Sequence, residues 1–316
     1  MAKNPDLKKP TLMQRIEFYS LRGMLAAAGK LDWEIACRMG ARLGAIGYSP
    51  FRIRKDVVER QIAAAFPDKS PEEVRRIARA SFEHLGRTAI ETALLPNQGD
   101  GAALRIVDRV DGWEHVERAR EQGKGMIFVA GHHGNWEILG AYIAQRGIPF
   151  EVIARGMGNP LFGEYVNSIR TALGMDVMHD SDAVKRTPRA LRAGRAVGFL
   201  SDQGVKGLAS TYVTFLGRPA KTPRGAAVFA LRFNAPVFFV DGIRQPNGKY
   251  RVIIEPVEVA PTGDREKDVD AIVIRFTEIL EKWVRQFPEQ YFWQHRRWRR
   301  QPENTPRELR DPTLDD

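Results

Sequence analysis

The sequence predicts an α/β protein, a layered αβα domain with a mostly parallel mixed sheet, preceded by N-terminal helices. Two observations predict it. From about residue 101, short apolar runs alternate with helical stretches, the pattern of a sheet with crossover helices. Before that point, apolar residues recur at spacings of three and four, the period of amphipathic helices. The chain has 316 residues, 43% hydrophobic and 28% charged. That is enough to bury a core without disulfides or metal, and Cys37, the one cysteine, allows no internal disulfide.

The expected order is as follows. Residues 1–10 are polar and read as a disordered tail. Residues 11–100 form the helical region. Ile16, Tyr19, Leu21, Met24 and Leu25 begin one apolar face, and Ile35, Met39, Leu43 and Ile46 form a second. Val57, Val58, Ile62 and Ala65 carry a third helix, closed by Pro67. Ser70 then caps a fourth helix, with Pro71 at its first position and Glu73 completing a capping box. Residues 101–302 form the α/β domain. Its strands are expected at Met126–Ala130, Phe150–Ala154, Val197–Leu200, Val237–Val240 and Val252–Val257, with helices at Trp136–Arg146, Leu161–Leu173 and Gly225–Phe233 and a closing helix at Asp270–Phe287. Residues 303–316 are polar and Pro-containing and read as a loose tail.

Lys plus Arg exceeds Asp plus Glu by 49 − 39 = 10, with 36 Arg against 13 Lys. A basic, Arg-rich surface suits partners that bear phosphate or carboxylate. No stretch reaches the roughly 18–20 apolar residues of a membrane-spanning helix, and no secretory signal pattern opens the chain.

The densest chemistry lies at Gly131-His132-His133-Gly134-Asn135-Trp136-Glu137, directly after an expected strand. Sites in open α/β sheets collect at the carboxyl ends of strands. His132 and Glu137 would diverge by about 140° on one helix. Gly131 and Gly134 let His132 fall in the preceding turn instead, with Glu137 in the first helical turn. There the carboxylate could hold one imidazole nitrogen and leave the other as a general base. His133 and Glu137, four apart, could alternatively be metal ligands of a hydrolase, although neither HExxH nor a Cys pair occurs. A third alternative is a non-catalytic basic protein that binds membranes or nucleic acid.

This segment resembles the H-x4-D/E motif of the lysophospholipid acyltransferase superfamily. With its G-N-W insertion it resembles the bacterial lipid A late acyltransferases. Ala64-Ala65-Phe66-Pro67, Arg155 with Asn159-Pro160, Gly198-Phe199-Leu200-Ser201-Asp202-Gln203, Phe215 to Ala220, Thr222-Pro223-Arg224-Gly225 and Tyr291 to Trp298 are similar to further elements of that family, in its order. The charged N-terminal region departs from the spanning helix that members usually carry, and Gln61 stands where they commonly have Asn. Related branches acylate phosphatidylinositol mannosides.

The resemblance implies a glycerol-3-phosphate acyltransferase-like fold. It implies an O-acyltransferase that moves an acyl chain from acyl carrier protein or coenzyme A to a hydroxyl of a lipid A-type glycolipid. No cofactor or metal is expected, the acyl thioester being a co-substrate. His132 and Glu137 are the expected catalytic dyad. Asn135, Arg155, Asn159, Asp202, Gln203, Thr222 and Arg224 are the expected substrate-binding residues. Arg155 is a candidate for the oxyanion or an acceptor phosphate, Asp202 and Gln203 for a sugar or for buttressing Arg side chains, and Thr222 and Arg224 for a phosphate at a helix start. Arg296, Arg297, Arg299 and Arg300, interleaved with Trp293 and Trp298, suit a headgroup boundary. The expected location is the cytoplasmic face of the bacterial inner membrane, held peripherally to an anionic surface by Phe18, Leu21, Met24, Leu25 and nearby basic residues. No nucleic-acid partner is expected.

Overall fold

The computed structural model describes residues 9–314; most of the tail expected over 1–10 falls outside this range. Four helices come first, α1 (Leu12–Ala28), α2 (Trp33–Tyr48), α3 (Lys55–Ala65) and α4 (Pro71–Leu94). The α/β part follows as α5 (Ala102–Ile106), β1 (Val107–Asp111), α6 (Trp113–Glu121), β2 (Met126–Ala130), α7 (Trp136–Gln145), β3 (Phe150–Ala154), α8 (Pro160–Ala172), β4 (Asp176–His179), α9 (Ala183–Arg192), β5 (Ala196–Leu200), β6 (Ser210–Phe215), β7 (Arg218–Pro223), α10 (Gly225–Phe233), β8 (Val237–Arg244), β9 (Tyr250–Pro256) and α11 (Arg265–Gln286).

Seven strands form one sheet in the order β1-β9-β8-β2-β5-β3-β4. From β8 to β4 every pairing is parallel; β9 runs antiparallel to β8, and β1 parallel to β9. Strand β2 is buried at all five positions, as a central parallel strand covered on both faces must be. Alternation along it splits the core. Ile127 and Val129 pack with α9, α10 and α11, whereas Met126, Phe128 and Ala130 pack with α6, α7 and α8. Strands β6 and β7 form a separate antiparallel hairpin.

Helix α4 carries the Ser70 capping box expected of it, with Pro71 at its start. It packs so closely on α2 that a Cβ at Gly44 would lie 1.9 Å from the Phe82 carbonyl oxygen. Only glycine permits that approach. A buried network then locks α4 to the sheet. Glu91, 1% exposed, accepts from Arg244 and from Tyr250 of the antiparallel pair, and from Asn135.

The five expected strands are present, several of them longer than expected. The strands β1, β4, β6 and β7 were not expected. Val107–Asp111 reads as a charged stretch because β1 is a sheet edge. The hairpin strands carry Thr, Arg, Lys and Pro and pair only with each other. In the expected C-terminal tail, residues 307–309 make a 3-10 turn, and the buried Asp311 carboxylate lies 2.7 Å from Arg296.

Candidate active site

Strands β2 and β5 are neighbours in register, with Ala130 opposite Leu200. Two residues beyond each, the chain places His132 and Asp202. Their side chains meet, His132 Nδ1 to Asp202 Oδ1 at 2.6 Å. Asp202 is 3% exposed. Burial alone would raise its carboxyl, but the charge and hydrogen bond of His132, with the charge of Arg297, outweigh it and hold the group at about 2. It is therefore a carboxylate at neutral pH. His132 must donate from Nδ1, which leaves the Nε2 lone pair without a partner among the described residues, on a side chain 19% exposed. A histidine so held has the geometry that general-base chemistry requires.

The expected contact between His132 and Glu137 does not form. Glu137 begins α7 and faces α8, where Arg170 grips both of its oxygens at 2.6 and 2.9 Å. Trp136 lies between, donating to Glu137 at 3.2 Å and setting its ring edge-on to His132 at 4.9 Å between centroids. Five residues of separation thus carry Glu137 past the imidazole, and the carboxylate at His132 comes from the neighbouring strand. His133 and Glu137 do not converge on a metal site either, since His133 turns inward to Asp241.

The other expected binding residues divide. Asn135 is fully buried; its Oδ1 accepts from Glu137 N and Ile138 N, capping α7, and its amide serves Glu91. Asn159 caps α8 and donates to the Gln14 carbonyl of α1 at 2.9 Å. Thr222 is fully buried and accepts from Arg297 Nη2 at 2.6 Å. Arg224 is taken by Glu266 and Asp270 of α11. Each of the four is engaged by the protein's own groups: backbone for Asn135 and Asn159, Arg297 for Thr222, and carboxylates for Arg224. Arg155 is exposed just past the carboxyl end of β3 and pairs with Asp180 at 3.8 Å. Gln203 follows Asp202, half-buried.

The two tryptophans and Arg297 of the C-terminal basic segment are core, whereas Arg299 is exposed and Arg300 half-buried. Trp293 and Trp298 are fully buried, and Arg296 is bound by Asp311. Arg297, 2% exposed, donates to the Lys221 carbonyl and Thr222 and places its charge near Asp202. Tyr291 donates to Asp202 as well. His295 is half-buried beside His132; burial pushes it down to about 4, so it is neutral. The partners Arg170, Tyr291 and Arg297 were not expected, because nothing in local spacing links positions this far apart in sequence.

Beside His132 opens an apolar pocket between the sheet and α7. Trp136, Glu137 and Arg170 line it together with Ala130, Leu200 and Phe199; Gly198, Phe128, Phe150 and Met175 line it further in. Its lining is mostly apolar, with Glu137 and Arg170 as its charged members.

Comparison with known proteins decides the family. Residues 7–300 match the family described as "Bacterial lipid A biosynthesis acyltransferase". The chain belongs to that family. It is similar to the lipid A biosynthesis lauroyltransferase of Escherichia coli K12, 28% identical over 286 residues that cover 90% of this chain and 92% of the relative. The palmitoleoyltransferase of the same organism is 26% identical, covering 89% and 90%. A phosphatidylinositol mannoside acyltransferase of Mycobacterium tuberculosis is 27% identical over 62% of each chain. As a member of the family, the protein is an O-acyltransferase.

Proposed function

We propose that this acyltransferase moves a fatty acyl chain from a thioester on acyl carrier protein or coenzyme A to a hydroxyl of a lipid A-type glycolipid, with His132 as general base and Asp202 as its carboxylate. The observation that carries this reading is the His132–Asp202 pair beside an apolar pocket. The acyl chain lies in the pocket, with its thioester carbonyl at the mouth by His132. His132 Nε2 takes the proton of the acceptor hydroxyl as its oxygen attacks the carbonyl carbon. The C–O bond forms, the C–S bond breaks, and the proton passes from the imidazolium to the departing thiolate. Asp202 holds the Nδ1 proton throughout and stabilises the imidazolium. Glu137 and Arg170 form the polar lip of the pocket and fix Trp136 against His132. Arg155, exposed at the same sheet edge, is placed for a phosphate of the acceptor.

Acceptors of the lipid A type are favoured over mannosides because the lipid A family model spans residues 7–300 and two lipid A relatives match about nine-tenths of the chain, whereas the mannoside relatives match 62–75%.

The surface supports peripheral attachment to an anionic membrane. No helix among the described residues is long and apolar enough to cross one. The apolar contacts expected from Phe18, Leu21 and Leu25 turn inward: Leu25 is buried, and Phe18 packs on Phe162 and Tyr165. The outer face of α1 instead exposes Leu12, Met13, Ile16, Tyr19 and Met24, and α2 with its flanks exposes Leu31, Ile35, Leu43 and Ile46. Arg15, Arg22, Arg38 and Arg42 stand exposed among them. Apolar insertion with basic flanks is the pattern of an interfacial helix.

The test is transfer from acyl carrier protein and from coenzyme A thioesters to a lipid A precursor, followed by mass spectrometry. His132→Ala is expected to lower the rate by about 10²–10⁴. Activity within a few fold of the parent, in a folded variant, would refute the base.

A further inference from the structure

Next to the base lies a second histidine that the chemistry above leaves unused. His133 is 1% exposed. Its Nδ1 lies 2.6 Å from Asp241 Oδ2 and its Nε2 lies 3.0 Å from the Phe287 carbonyl oxygen. A carboxylate and a carbonyl only accept. A neutral imidazole carries one N–H and would leave one of these contacts without a hydrogen. Both are satisfied when both nitrogens carry protons.

His84, on the other side of the same turn, shows the opposite arrangement. Arg244 Nη1 lies 2.5 Å from its Nδ1 and can only donate, so Nδ1 accepts. Its Nε2 then donates to the Gly134 carbonyl at 2.9 Å. That is a neutral ring, and burial with the Arg244 charge also pushes it well below the ordinary imidazole range. The two rings thus differ in charge because their partners differ.

What they hold is the turn that carries His132. The 287–293 segment runs against it in an isolated antiparallel bridge of His133 with Tyr291. Phe292 N donates to the His132 carbonyl at 2.9 Å, and Gly134 N donates to the Gln290 carbonyl at 3.0 Å. A Cβ at Gly134, whose φ is +57°, would lie 2.1 Å from the Gly242 carbonyl oxygen, so the turn packs directly on the β8 backbone and only glycine fits there.

We propose that His133 is a positioning residue for His132, an imidazolium at neutral pH that ties the His132 turn to Asp241 of β8 and to the Phe287 carbonyl of the returning chain. The proposal rests on His132 being the base. Burial opposes the charge on His133, and Asp241, the Phe287 carbonyl and Glu289 outweigh it, so its ionisation is raised. The charged and titratable groups that face this turn are Asp241 and Arg244 on β8, Glu289 on the return, and His84 on α4. With its ionisation raised, the tie is complete at low and neutral pH and is lost as pH rises through the folded value.

The test uses the full-length protein with ¹⁵N-labelled histidine. In the parent, the His133 ring is expected to show both nitrogens protonated at about pH 7, where an ordinary imidazole is mostly neutral. Asp241→Asn, which can donate to Nδ1, is expected to turn that ring into a neutral tautomer. His133→Gln is expected to lower kcat by about tenfold or more with KM changed less than about twofold, as misplacing a base does. A neutral His133 in the parent at about pH 7 overturns the proposal. So does a folded His133→Gln with parental kcat. If His133→Gln does not fold, the nitrogen signature of the parent and of Asp241→Asn decides alone. Activity surviving in His132→Ala would refute the base while leaving the His133 signature to stand or fall by itself.

Discussion

Asp202 and His132 lie 2.6 Å apart although 70 residues separate them in sequence. The expected consequence is kinetic. Asp202→Asn leaves an amide that neither fixes the Nδ1 proton nor stabilises the imidazolium. A loss in kcat of about 10²–10⁴ is expected, with KM little changed. Steady-state kinetics of a variant whose unfolding curve matches the parent checks this.

The same pair sets an acid limit on stability. The folded Asp202 carboxyl is held at about 2 against an ordinary 3.8. Its folded value is depressed, so its contribution is full above about pH 4 and is lost as pH falls towards about 2. The difference corresponds to about 2 kcal/mol. Urea titrations across that window should show Asp202→Asn with a flatter pH dependence than the parent.

Glu137 and Arg170 make a largely buried ion pair. Glu137→Gln leaves a charged guanidinium with a weaker partner, at an expected cost on the order of 2–4 kcal/mol. The double change Glu137→Gln with Arg170→Met should recover part of it. A denaturant double-variant cycle reads the recovery, and acyl transfer should fall in both variants because Trp136 loses its anchor.

Inside the pocket, Phe150 crosses the floor. Its ring fills the space where a Cβ at Gly198 would stand, 2.6 Å from that position. Gly198→Ala should push the ring into the lumen and favour shorter acyl donors; Phe150→Leu should favour longer ones. Each buried methylene is worth roughly a factor of four in preference. Competition among donors of stepped chain length measures the shift, and an unchanged order would show that the floor lies elsewhere.

On the outer surface, Ile16 and Ile35 are half exposed, at 52% and 48%. Ile16→Glu with Ile35→Glu should weaken flotation with anionic vesicles without altering the unfolding midpoint by more than a degree or two, since neither side chain is in the core. Binding to neutral vesicles should be weaker throughout, and salt should reduce binding to anionic ones.

The helices and inner strands were legible because their apolar residues repeat at the periods of helix and strand, and Ser70, Pro71 and Glu73 mark a helix start locally. The turn that carries His132 was also legible, since its glycines follow a strand. Which carboxylate serves His132 was not. Sequence spacing offers Glu137, five residues away, whereas the sheet brings Asp202 by placing β5 beside β2. Thr222, Arg224 and Asn159 show the same limit of sequence spacing. Each has the right type for a phosphate or sugar, and each is consumed by a partner from another element.

Chain synthesis gives the returning segment a further meaning. Phe287, Tyr291, Phe292 and Arg297 supply contacts to His133, Asp202, the His132 backbone and the Asp202 charge. All are made after the strands that carry His132 and Asp202 have left the ribosome. A nascent chain stopped before Tyr291 could pair its strands and still lack an ordered base. Order at His132 therefore depends on a segment made well after the strand that leads into it.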